Sequence, residues 1–97
     1  MRESVIEKYL VDCAKSMGGE VRKVKWVGRK GAPDRLVMLP AHKESRTEPT
    51  TIWIELKATG KKPEAHQLRE HVRMRKLGQR VEVVDSLDRV HEVLGLV

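Results

Sequence analysis

Phenylalanine is absent from this chain of 97 residues, and its aromatic residues are Tyr9, Trp26 and Trp53 alone. Leucine, valine, isoleucine and methionine therefore have to fill the interior. A chain this short buries only roughly 60–65% of the surface its unfolded form exposes, so the core is modest. A thin core favours an oligomer, in which a second copy covers apolar surface. Cysteine is nearly absent too. Cys13 stands alone, which excludes an intrachain disulfide and a cysteine zinc cluster, and fits a reducing compartment. No apolar run approaches ~18 residues and the first turn is charged, so neither a membrane span nor a signal peptide is expected. The expected location is the cytoplasm.

Positive charge is what the chain has in excess. Twenty Lys and Arg against fourteen Asp and Glu give a formal charge of +6, and the pI is about 9.8. Two readings follow: a polyanionic partner, nucleic acid first, or a soluble domain with lysine-rich faces. With no repeat, low-complexity tract or linker, residues 1–97 read as one domain.

Residues 3–17 form a helical pattern, with Ile6, Tyr9, Leu10, Cys13 and Met17 on one stripe and Gly18-Gly19 ending it. Glu3 and Glu7 lie one turn apart on the flank of that stripe. They serve either as solvated acids near the positive end of the helix dipole or as carboxylates facing a site at the core's edge. Glu20 to Val27 reads as a strand with a basic edge. Gly28-Arg29-Lys30-Gly31 is a basic turn, either an ordinary connection or a backbone that approaches a phosphate. Asp34 to Leu39 is a second strand, entered through Pro33. Pro40 to Thr50 is a long, polar, mobile loop.

Thr51 to Lys57 is a third strand, rich in β-branched and aromatic residues. A helix from Pro63 to Leu77 follows, closed by Gly78. Ala65, Leu68 and Val72 form the stripe expected to meet the sheet; Gln67, His71 and Met74 form an adjacent one. His91 reads as solvated, and His66 and His71, five apart, are off one helical face for a paired zinc role. Arg80 to Asp85 is a fourth strand, and Ser86 caps a last helix. The expected fold is α/β: helix, three strands, helix, strand, helix. The first three strands run antiparallel and the fourth, after the crossover helix, parallel, in a mixed sheet flanked by helices.

The unusual stretch is Glu55 inside a buried strand. A charge there is costly unless paired or metal-bound, and such violations of local pattern concentrate at functional sites. Alternation puts Glu55 and Lys57 on one face, and Asp34 opens the neighbouring strand. Two carboxylates and an ammonium are the parts needed for metal-assisted phosphodiester hydrolysis with Mg²⁺ or Mn²⁺. Against this stands the plain alternative of a Glu and a Lys on a solvated face. Arg29, Lys30, Lys61, Lys62, Arg69 and Arg73 are candidate phosphate contacts, independent of base sequence and sensitive to salt.

Gly31-Ala32-Pro33-Asp34, then Glu55-Leu56-Lys57, then Gln67 in the next helix resemble the PD-(D/E)xK nuclease superfamily. Within it the chain most resembles the small stand-alone VRR-NUC nucleases of phages and bacteria. The resemblance runs from Arg2-Glu3-Ser4 through Gly78 to Val84-Asp85-Ser86. It implies a restriction-endonuclease-like αβββαβ core and a location in a bacterial or phage-infected cell. It implies that Asp34 and Glu55 hold the metal with the backbone carbonyl of Leu56. Lys57 would position the attacking water, and Gln67 would support the site from the helix. A first-helix acid, Glu3 or Glu7, would also belong to it. Stand-alone members are similar to Holliday junction resolvases, which implies a homodimer acting on branched DNA in repair or recombination. The alternatives are a flap or nicking nuclease and a basic nucleic-acid-binding module without catalysis.

Overall fold

The computed structural model describes residues 1–42, 44 and 46–96. Lys43 and Ser45, within the stretch expected to be a mobile loop, lie outside the described residues. The elements follow the expected order: α1 (Glu3–Ser16), β1 (Glu20–Lys23), β2 (Arg35–Leu39), β3 (Thr50–Leu56), α2 (Ala65–Lys76), β4 (Val81–Val84) and α3 (Leu87–Leu94). The sheet order is β1-β2-β3-β4. β1 pairs antiparallel with β2 and β2 with β3, whereas β3 and β4 run parallel across the α2 crossover. Among the described residues, no helix is long and apolar enough to cross a membrane.

The core follows from strand alternation. Ile52, Ile54 and Leu56 of β3 share a face with Val37 and Leu39 of β2 and Val84 of β4. Against that face pack Ile6, Leu10 and Ala14 of α1 and Val90, Val93 and Leu94 of α3. Burying each such Val, Leu or Ile contributes roughly 1.5–3 kcal/mol. The α1 stripe meets the sheet closely because Gly19 has no side chain. A Cβ there would strike the Met38 carbonyl.

Trp53 and Glu55, one residue out of phase with the core set, project to the opposite face, where α2 lies. Here the sequence expectation is overturned. Leu68 and Val72 are each about half exposed, while Glu70, His71 and Met74 are buried. The adjacent stripe is the one that meets the sheet, because this sheet face offers a carboxylate and an indole as well as apolar groups. Two boundaries also move inward. α2 begins at Ala65, where the Glu64 amide donates to Gln67 Oε1 at 2.9 Å. β1 ends at Lys23, although the Val24 amide still donates to the Asp34 carbonyl. His91, expected in solvent, instead hydrogen-bonds the Tyr9 hydroxyl and ties α3 to α1.

The outer edge of β4 is occupied by arginines. Arg75 Nη2 donates to the Val81 carbonyl at 2.8 Å, and Arg89 Nε to the Val83 carbonyl at 3.1 Å.

Candidate active site

Glu55 sits near the end of β3 with 7% of its surface exposed. Burial, with Asp34 and Glu3 adding repulsion and Lys57 and Arg35 opposing, pushes its carboxyl from 4.5 up to about 7. Asp34, Glu55, Lys57 and Glu3 thus share one electrostatic neighbourhood where the two central strands, β2 and β3, lie side by side. Of the two first-helix acids, Glu3 is the one whose charge acts on Glu55. Glu7 is turned to Arg35, whose Nε donates to its carboxylate. Arg35 Nη1 lies 2.8 Å from Asp34 Oδ1, so one guanidinium joins α1 to the entry of β2.

Behind Glu55 is a residue that sequence reasoning set aside. His71 is fully buried, and its Nε2 lies 3.2 Å from Glu55 Oε1. Burial, followed by the charges of Arg75 and Lys57, lowers its pKa, so the ring is neutral near pH 7. With the proton on Nε2, the ring donates to the Glu55 carboxylate and leaves Nδ1 as a buried atom without a hydrogen-bond partner among the described residues. A donor behind a carboxylate fixes its orientation, which is the usual task of a group behind a metal ligand. The signal for His71 was its position four residues after Gln67, on the stripe that meets the sheet.

Other expected residues are placed differently. Gln67 Oε1 caps the first turn of α2. Arg29 and Arg73 both reach buried Glu70, at 3.3 and 3.6 Å. Glu70 thereby fastens the basic turn before Asp34 to α2. Gly31 completes that attachment: at φ +89° it lies so close to α2 that a Cβ would sit 3.0 Å from the His66 carbonyl oxygen. Lys30, Lys61, Lys62 and Arg69 remain exposed.

The donor set suits a hard divalent cation. Asp34 and Glu55 offer carboxylate oxygens, Leu56 a backbone carbonyl, and Glu3 a further negative charge. Among the described residues, no three His, Cys, Asp or Glu side chains form a metal cluster by themselves. A cation here would complete its shell with a backbone carbonyl, water and substrate oxygens, as Mg²⁺ commonly does.

No family profile matches the chain. Two individual comparisons do. The chain is 47% identical over 88 residues to the p44 protein of Acyrthosiphon pisum secondary endosymbiont phage 1, whose name marks it as a candidate nuclease. The match covers 91% of this chain and 87% of that protein. The fold also superposes on a solved VRR-NUC domain with a TM-score of 0.78 and 39% identity, over 96% of this chain and 94% of that one. The chain belongs to the VRR-NUC family of nucleases. As a VRR-NUC protein it has the α/β core that the resemblance implied; Asp34 immediately precedes β2, Glu55 and Leu56 end the adjacent β3, and Lys57 follows directly after it.

Proposed function

We propose that this VRR-NUC protein is a divalent-metal-dependent, structure-specific endodeoxyribonuclease, with residues 1–97 acting as a single nuclease domain. The carrying observation is the buried Glu55 carboxylate, held up to about 7 beside Asp34, Glu3 and Lys57. Ionising a carboxylate so placed is costly; His71 offers it a neutral donor, and a cation would supply the opposite charge. Asp34 and Glu55 hold the metal with the Leu56 carbonyl, and His71 orients Glu55. When bound, Mg²⁺ or Mn²⁺ supplies positive charge for the phosphate and lowers the pKa of a coordinated water. Lys57 orients the water and stabilises charge building on the phosphate. Gln67 supports the site from α2, and Glu3 rather than Glu7 serves as the first-helix acid.

Branched DNA and a homodimer cutting opposed strands, as in junction resolvases, complete the reading, with the cytoplasm of a bacterial or phage-infected cell as its place. Exposed Lys30, Lys61, Lys62 and Arg69 contact phosphates without reading bases, so binding falls with rising salt. The test is cleavage of a labelled four-way junction, flap, linear duplex and single strand with Mg²⁺, Mn²⁺ or EDTA. Paired symmetric cuts that need metal and Lys57 are expected. Cutting of flaps alone would keep the chemistry and discard the junction.

A binding module without catalysis is the second reading. It draws on the engagement of Asp34 by Arg35 and on the lack of a three-residue metal cluster among the described residues. Tight junction binding with no cutting under any metal would select it.

A further inference from the structure

A cavity of about 540 Å³ opens beside Asp34, lined by Lys23, Val24, Lys25, Trp26, Arg29 and Ala32 together with Asp34 itself. Its volume falls in the range of sites for small organic ligands, roughly 300–1,000 Å³. Three of its lining residues are cationic, and Asp34 is the single acid. Asp34 belongs to this wall and to the carboxylate group around Glu55, so the cavity adjoins the proposed point of cleavage.

Trp26 is the aromatic of the cavity, and it is held rather than loose. Its Nε1 donates to the Pro33 carbonyl at 2.8 Å, one residue before Asp34. Its ring packs on Trp53, with centroids 5.1 Å apart and planes inclined by 46°. Trp53 is pinned in turn by its own Nε1 donating to Gln79 Oε1 at 3.0 Å. Despite these ties, 37% of Trp26 stays exposed. Arg29, also part of the lining, is held by buried Glu70.

An oriented, part-exposed indole beside three cations, one of them held in place, matches one ligand chemistry. Cations take the phosphates while an aromatic face takes a base, without regard to which base it is. In a paired duplex the base faces are covered by their neighbours, so the indole has nothing to stack on. An acidic peptide would use the cations and leave the indole idle.

We propose that this cavity binds an unpaired nucleotide flanking the scissile phosphate, its base stacked on Trp26 and its phosphates on Lys23, Lys25 and Arg29. The inference rests on the nuclease reading and makes the enzyme favour DNA in which a base beside the cut is unpaired or can leave its pair, as at a branch point. It ties substrate choice to Trp26, a residue outside the metal-holding set.

The test separates binding from cleavage. In EDTA, the full chain is titrated with a fluorescein-labelled oligothymidine of about eight nucleotides and, separately, with a blunt duplex hairpin. Trp26→Ala is expected to weaken oligothymidine binding by roughly tenfold or more and to leave the duplex unchanged, while Trp26→Phe retains most of the affinity. In a Trp53→Phe background, saturable quenching of the remaining Trp26 by oligothymidine reports the stack directly. Unchanged oligothymidine affinity in Trp26→Ala, or no quenching, overturns the inference. So does equal weakening of both DNAs in Trp26→Ala and Trp26→Phe, which marks a structural role. Loss of metal-dependent cutting bears on the nuclease reading alone: Trp26-dependent binding without cutting keeps this inference and removes that one.

Discussion

The two faces of the sheet are built on opposite rules. Under α1 and α3 every buried side chain is apolar, from Ile6 and Leu10 across Ile52, Ile54 and Leu56 to Val90 and Leu94. Under α2 the buried set includes Glu55, Glu70 and His71. One strand serves both, since Ile54 and Glu55 are neighbours in β3. The first face can be filled by any well-packed apolar set, because its attraction is non-directional. The second holds together through particular pairs: His71 with Glu55, Arg29 and Arg73 with Glu70. Apolar packing is thus concentrated on one side and the candidate site on the other, and substitutions one residue apart should separate them.

The largest expected effect is on the polar face. Lys57→Ala should lower cleavage by roughly 10²–10³-fold, the usual cost of removing one group that stabilises transition-state charge, and Glu55→Ala should abolish it. Lys57→Ala should melt with the parent, whereas Glu55→Ala, which removes the partner of buried His71, is compared as activity per folded molecule. If either cuts DNA as well as the parent in a gel assay, the polar face is not the active site. Next in size is Ile54→Ala. It should cost about 2–5 kcal/mol in urea unfolding, with activity per folded molecule retained. Loss of activity without loss of stability would erase the division between the faces.

His71→Ala should have a smaller effect, a drop of about 10–100-fold in metal affinity or activity, partly recovered at higher Mg²⁺. Isothermal titration with Mg²⁺ would measure it, and a variant that binds Mg²⁺ normally would reduce His71 to packing.

The smallest effect is a pH-dependent one. Folded Glu55 holds its proton up to about pH 7, whereas the unfolded chain releases it near 4.5. The stability this group supports is therefore fully present below the lower value and lost as pH rises through the higher. Without metal, Glu55→Gln should melt above the parent at about pH 8 and together with it at about pH 4. The difference is read as a shift in melting temperature, at about 4–8 °C for each kcal/mol in a domain of this size. Added Mg²⁺ should raise the parent and not the variant. Identical melting at both pH values would mean that Glu55 is not strained.

The comparison also explains what could be read in advance. The apolar face was legible because its pattern has the period of each element: Ile6, Leu10 and Ala14 on a helix, Ile52, Ile54 and Leu56 on a strand. Glu55 was legible as a break in that pattern. The face α2 presents was not. Leu68 and Val72 are the more apolar pair, yet a sheet face carrying a carboxylate is matched by His71 rather than by leucine. The pairing of Glu7 with Arg35 was also hidden, since it depends on Arg35 reaching across to α1. Trp26 escaped notice because its role depends on the Pro33 carbonyl and the Trp53 ring, distant along the chain from it or set by a turn.

The arginines along β4 have a consequence for how copies of this chain can meet. An outer strand with open carbonyls is a template on which another chain can add, leading to sheet extension and aggregation. Here Arg75 and Arg89 already occupy the outward carbonyls of Val81 and Val83. Any chain that joined at β4 would first have to displace two guanidinium groups. Self-association through that border is disfavoured, which leaves the opposite edge of the sheet, β1, and the helical surfaces as the places where a dimer could form.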